Sequence, residues 1–316
     1  MLEIQYYELA SQTTSTLVST ANNLEDLRLC NKDKNLLWTE NNKGFEALFA
    51  GDANGKNAQP TPLQRGVYAI SCSARDTAMI SHSGPASPST IYSLSPKGFS
   101  TKAILFPQMA GIDAKNLVAP KAITFQARDG ITIHGLLYMP VKVCDEKPPI
   151  VIDIHGGPTS QSKAAWQPLT QYLVGKGIAV LDINVRGSTG YGKTYARLDN
   201  QKMRLDSVRD LVDALSWLEK YGRVNGKNAA AIGGSYGGYM VNAVMGTYPD
   251  AFKAGASFVG VADWIRALQT ASPGLKASDR IECGDISDKS WQEFYAINSP
   301  LNTLGKTTAR CFFNME

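Results

Sequence analysis

The rhythm of hydrophobic and polar positions changes near residue 120. Before it, short apolar-rich runs alternate with polar turn residues: Ile4–Leu9, Asn35–Trp38, Glu46–Phe49, Gly66–Ser71, Thr77–Ser81, Thr90–Leu94 and Thr101–Phe106. Each run is expected as a strand, with turns at Asn41–Asn42, Gly51–Asp52, Gly55–Lys56 and Ser95–Pro96. Strands recurring every ~10–15 residues without a helical period predict antiparallel sheet, either a sandwich or propeller blades of about 40–50 residues. A closed propeller needs at least about four blades, and a stretch of this length would make only about two or three.

After Lys121 the pattern is different. Ile123–Gln126 and Ile131–Tyr138 flank the turn Arg128–Asp129–Gly130, as a hairpin would. Pro149–Ile154 is a continuous apolar run, expected of a strand buried on both faces. A helical stretch (164–176), a strand (178–183), an amphipathic helix (206–221) and a short strand (229–232) follow. Strands alternating with helices predict a parallel sheet covered on both sides.

Chemistry concentrates after that last strand. Gly233-Gly234-Ser235-Tyr236-Gly237 fits G-x-S-x-G, with a strand before it and helical spacing over 239–246 after it. In such an elbow the serine occupies a sharp, strained turn, which leaves room only for glycine at Gly233 and Gly237. The helix that follows aims free N–H groups and the positive end of its dipole at the nucleophile. Ser235 is therefore the expected nucleophile, with the Tyr236 N–H as one oxyanion donor. His155-Gly156-Gly157-Pro158 directly follows the strand ending at Ile154, where a turn can supply the second donor, from Gly157. By itself that turn could equally be a strand-ending bend.

Other motifs carry less. Arg186-Gly187-Ser188-Thr189-Gly190-Tyr191-Gly192 lacks the G-x-G-x-x-G spacing of a nucleotide loop and reads as a loop at the site's rim. Ser160 and Lys163 match S-x-x-K by coincidence, since no S-D-N or K-T-G accompanies them. Asp206, Asp210 and Asp213 share a helix face, read as solvated rather than metal-binding. A serine also needs a base, and on this fold the order is Ser, Asp or Glu, then His. The histidines are His82, His134 and His155, all upstream of Ser235. His134 reads as a core or surface residue, and His155 as contributing backbone more than ring. The chain as given thus has a nucleophile without its general base, with the triad Asp and His absent from it.

Composition narrows the classes. With 316 residues, 43% hydrophobic and 19% charged, the chain is long enough for two domains. A net charge of +4, scattered along the chain, offers no basic stripe for nucleic acid. Cys30, Cys72, Cys144, Cys283 and Cys311 are odd in number and widely spaced, which argues against a disulfide framework and against zinc. A reducing, cytoplasmic setting is favoured, with a periplasmic or secreted one open because the native start is expected upstream. No apolar run is long enough to span a membrane. No metal and no cofactor are expected. The expected partner is a peptide substrate.

Taken in order, D-I-H-G-G-P (153–158), N-V-R-G-S-T-G-Y-G (184–192), D-x-x-x-D (206–210) before W-L (217–218), and G-G-S-Y-G-G-Y-M (233–240) resemble the catalytic domain of the prolyl oligopeptidase family of serine peptidases. The dipeptidyl aminopeptidase and acylaminoacyl-peptidase branch is the nearest. The resemblance implies an α/β fold: an α/β-hydrolase with a mostly parallel sheet (119–316), cut short at its C-terminal end, after an all-β remnant of a β-propeller (1–118). It likewise makes Ser299-Pro300 the segment before the strand bearing the catalytic Asp, with 311–316 the start of that strand. The implied activity is hydrolysis of short peptides through an acyl-enzyme, with a carboxylesterase or an inactive interaction module as alternatives. This chain alone is expected to turn over negligibly, and a sheet ended there to aggregate through its open edge.

Overall fold

A computed structural model describes residues 1–72, 77–141 and 147–314, with backbone alone at Ser278 and Asp279. Cys144 and the end of the expected last strand, Met315 and Glu316, lie outside the described residues. The chain divides into two compact units, Met1–Ala119 with Lys163–Gln171, and Pro120–Ser162 with Tyr172–Glu316.

The first unit is all β. Strands β1 (Leu2–Glu8) and β2 (Thr13–Thr20) pair as a hairpin. Strands β3 (Asn23–Cys30), β4 (Asn35–Asn42), β5 (Phe45–Asp52) and β6 (Gln59–Pro60) make one four-stranded antiparallel sheet in chain order. Strands β7 (Val67–Cys72), β8 (Ala78–Gly84), β9 (Ser87–Leu94) and β10 (Thr101–Leu105) make another. Such four-stranded meanders are the form of propeller blades. The apolar run of β4 is buried nearly end to end, and Trp38 stacks on its cross-strand partner Phe49 with centroids 5.5 Å apart. A cross-strand aromatic pair of this kind fixes register. Leu37, Leu48, Ile70, Ile80 and Leu94 close the core.

Three expectations change here. Asn41 and Asn42 remain in β4, and Gly51 and Asp52 in β5, rather than turning. Strands β2 and β3 had no forecast, because their mostly exposed, polar-rich residues show no apolar alternation. The cysteine reading is overturned by a disulfide between Cys30, at the end of β3, and Cys72, at the end of β7, with Cα atoms 5.6 Å apart. Sequence spacing hid this pair because the two strands meet only when the sheets pack. Among the described cysteines, Cys283 and Cys311 are free. Disulfides persist in oxidising compartments, so the bond weighs against a reducing setting. The bond closes 42 residues of sequence separation, so its reduction is expected to cost about 4 kcal/mol of stability. Urea denaturation with and without dithiothreitol checks this, and an unchanged midpoint would refute it.

The second unit is an α/β layer structure. Its strands are β11 (Lys121–Gln126), β12 (Thr132–Tyr138), β13 (Ile150–Ile154), β14 (Ala179–Asn184), β15 (Ala229–Gly234), β16 (Ala254–Phe258) and β17 (Arg310–Asn314). They form one sheet in the order β11-β12-β14-β13-β15-β16-β17. Pairing is antiparallel for β11–β12–β14 and parallel from β14 onward. The helices are α1 (Pro168–Gly175), α2 (Arg204–Tyr221), α3 (Tyr236–Thr247), α4 (Trp264–Thr270), α5 (Pro273–Cys283) and α6 (Lys289–Asn298). The central strands are rich in apolar residues because helices cover both faces: β14 is buried at all six positions, Asp182 and Asn184 included. Helix α3 is buried over residues 236–246 and packs on β15 and β16. At the far side, Phe312 and Phe313 of β17 remain 57% and 43% exposed. Among the described residues no helix is long and apolar enough to cross a membrane.

Candidate active site

Strand β15 ends at Gly234, and Ser235 turns the chain into α3 with φ 54° and ψ −117°. That conformation is rarely tolerated by a residue with a side chain, and persists only where the surroundings hold it. Here the Ser235 N–H donates to Phe258 O at the end of β16 (2.9 Å), and Ser235 O accepts from the Tyr239 N–H (2.9 Å). The side chain is left exposed at the tip of the turn.

The need for glycine on either side is steric. A Cβ at Gly237 would lie 2.0 Å from Ile154 O, and one at Gly233 would lie 2.5 Å from the Gly237 carbonyl carbon. Strand β13 and the first turn of α3 therefore touch backbone to backbone. The same approach brings the turn after β13 to Ser235, since a Cβ at Gly156 would come 3.5 Å from Ser235 Cβ. Ser235, the first turn of α3 and the His155–Pro158 turn thus meet at one end of the sheet. Gly157 is exposed there, and the Tyr236 N–H belongs to a helix's first turn, whose donors have no partner within the helix.

The histidines are occupied elsewhere. His155 Nδ1 lies 2.7 Å from Gly156 O, and Nε2 lies 2.8 Å from Ser188 Oγ. Ser188 Oγ has one proton and directs it to Val185 O at 2.7 Å, so its contact with Nε2 fixes the position of the ring without assigning the tautomer. Burial holds this imidazole below its ordinary pKa, in keeping with the neutral form. His155 therefore clamps the turn to the Arg186–Gly192 loop. His134, in β12, stacks on Tyr191 at 3.9 Å. His82, in the first unit, lies between Tyr68 and Tyr92. Lys163 pairs with Glu46 (2.7 Å) and Glu25 (3.3 Å), all within the first unit, so it does not serve Ser160 as a base.

The aspartates of α2 correct another expectation. Asp210 is fully buried and accepts from Arg186 Nε, Nη2 and backbone N–H at 2.7–3.0 Å. Arg186 Nη1 reaches Asp129 at 2.6 Å. Asp213 takes the Arg128 side chain at 2.7 Å and its backbone N–H at 2.9 Å. Asp206 pairs with Arg209 at the surface. The face is not solvated. It anchors the Arg186 loop and the hairpin turn, which helical periodicity could not reveal because the partners lie 24 and 85 residues away. No metal-holding group of His, Cys, Asp or Glu occurs among the described residues.

Asp153, in β13, is in register with Asp182 of β14. Burial pushes the Asp153 carboxyl up to about 6, against the pull of the Ile154 N–H. A folded pKa above the unfolded 3.8 means that folding favours the protonated acid. This contribution is full below the unfolded pKa and is lost as pH rises through about 6. Asp153→Asn is expected to stabilise the chain by on the order of 1–3 kcal/mol at neutral pH, and hardly at all at pH 4. Urea midpoints at the two pH values test this, and an equal gain at both would refute it.

Comparison with known proteins bears on the second unit most. Residues 166–310 match the model of the prolyl oligopeptidase family. This match covers a little under half of the chain. Dipeptidyl aminopeptidase BIII of Pseudoxanthomonas mexicana is 32% identical over 176 residues, covering 54% of this chain and 26% of that enzyme. The human acylamino-acid-releasing enzyme is 30% identical over 126 residues, covering 40% of this chain and 17% of the enzyme. Among solved structures, a puromycin hydrolase superposes with a TM-score of 0.86 at 21% identity, covering 98% of this chain and 49% of that one. The acylaminoacyl peptidase of Pyrococcus horikoshii gives 0.75 at 20% identity, covering 95% and 47%. The chain spans about a quarter of the first of these prolyl oligopeptidase relatives and about half of the structural neighbours. The fold is an α/β-hydrolase preceded by propeller strands, as the motifs implied.

Proposed function

We propose that this chain carries the nucleophile of a serine peptidase acting on short peptides, in the manner of dipeptidyl or acylaminoacyl peptidases. The observation that carries the reading is Ser235, strained and exposed between β15 and α3 beside the Gly156–Gly157 turn. Its Oγ attacks the scissile carbonyl carbon, and the carbonyl oxygen takes up negative charge. The N–H groups of Tyr236 and Gly157 receive that charge, aided by the positive end of α3. Collapse of the tetrahedral intermediate expels the amine and leaves an acyl-enzyme, which water then hydrolyses. The proton of Ser235 goes to a base other than His82, His134 or His155, whose rings are engaged as described. The family match and the named peptidase relatives support peptides as the substrate class.

A fluorophosphonate probe tests the reading on the intact gene product. Labelling mapped to Ser235 is the expected result. Failure to label would favour the non-catalytic interaction module.

A further inference from the structure

Acyl transfer uses only the backbone N–H of Tyr236, yet its side chain is built into a polar cluster beneath the elbow. The phenol is buried and donates to Asp199 Oδ2 at 2.9 Å, with Ser207 Oγ 3.2 Å away. Asp199, itself fully buried, lies in the connection from β14 to α2, between the short helical turns Tyr195–Arg197 and Gln201–Met203. Its carboxylate presses on Gly187, where a Cβ would meet carboxyl atoms at 2.2–2.6 Å. Arg204, 1% exposed, sets its guanidinium 5.1 Å from the Tyr236 ring centroid and 4.8 Å from that of Trp264. Its Nη2 donates to Glu282 O at 3.0 Å. Burial raises the Asp199 carboxyl's pKa, while the Arg204 charge and the Tyr236 hydroxyl lower it.

The energetics give this cluster a purpose beyond filling space. A phenylalanine at 236 would occupy nearly the same volume but leave the buried Asp199 carboxylate without its phenol donor. A phenol donating to a fixed acceptor, with a cation over its face, has one preferred orientation. Tyrosine has two side-chain torsions, so a ring fixed at its far end constrains the backbone at its near end. That backbone is the first residue of α3 and carries the N–H beside the nucleophile.

We propose that Asp199 is a positioning residue that, through the Tyr236 hydroxyl, holds the first turn of α3 so that the Tyr236 N–H points at the developing oxyanion. The proposal rests on the reading of Ser235 as nucleophile. Asp199 touches no reacting atom. It acts on a hydrogen bond that matters most when charge builds on the carbonyl oxygen, so kcat responds and KM hardly does.

The test uses the intact gene product with a peptide p-nitroanilide, comparing Asp199→Ala, Tyr236→Phe, the double variant and Ser235→Ala. We expect Asp199→Ala and Tyr236→Phe each to lower kcat by about 10- to 100-fold, with KM little changed. The double variant should fall no further than either single one, because both remove the same link. Fluorophosphonate labelling of Ser235 should slow in parallel. Tyr236→Phe removes one oxygen and decides the matter if Asp199→Ala does not fold. Wild-type kcat in a folded Tyr236→Phe, or losses that multiply in the double variant, would overturn the proposal. If Ser235→Ala itself retains turnover, the nucleophile reading fails; if it is inactive while Tyr236→Phe is unimpaired, only the brace fails.

Discussion

Ser235→Ala is expected to lower kcat of the intact gene product by on the order of 10⁴- to 10⁶-fold while leaving KM nearly unchanged. The size follows from covalent catalysis, since without the hydroxyl no acyl-enzyme forms. What remains is the residual catalysis of an oxyanion hole acting on water. The exposed position of Ser235 makes the variant structurally mild, because the lost oxygen fills no packed space. Thermal melting should therefore match the parent. Steady-state hydrolysis of a peptide p-nitroanilide by the two proteins checks the prediction, and a variant turning over at near-parental rates would remove Ser235 from the chemistry.

Asp210→Ala is expected to cost about 3–5 kcal/mol of stability, the largest effect foreseen on folding. Asp210 is wholly buried and accepts the Arg186 side chain and its backbone N–H together. Removing the carboxylate strands a guanidinium whose side chain is 5% exposed, with the half-exposed Asp129 as its remaining ion-pair partner. A truncated buried pair costs far more than a deleted surface pair, because the surviving charge cannot regain water. The loop that follows Arg186 should loosen as well, freeing the Ser188 hydroxyl that holds His155. Chemical denaturation measures the first effect, and hydrogen exchange at 186–192 the second. A loss comparable to an exposed ion pair, under about 1 kcal/mol, would contradict the assignment.

The elbow, helices α2 and α3 and strands β13, β14 and β15 were legible in the residues because each depends on short-range constraints. A backbone contact between β13 and α3 demands glycine at 233 and 237, and this demand is written within five positions of the chain. Strands β13 and β14 announce themselves by apolar runs interrupted only by an aspartate in each and by the terminal Asn184, since helices cover both their faces. The exposed strands β2 and β3 had no such signal. Pairings across long separations were invisible for a different reason. Cys30 with Cys72, and Arg186 with Asp210, become neighbours only when separate elements pack. An odd cysteine count and a 3.6-residue period both pointed away from them.

By itself, then, the sequence determined which residue stands at the strained turn and what chemistry that turn favours, because a nucleophile elbow is a local backbone problem. Tertiary structure decided what the remaining polar groups do. His155 is a clamp on the His155–Pro158 turn because Ser188 lies 2.8 Å from its ring, and Asp210 is an anchor because burial leaves Arg186 no water to turn to. The Tyr236 hydroxyl has a purpose only because a carboxylate 37 residues earlier in the chain folds beneath it.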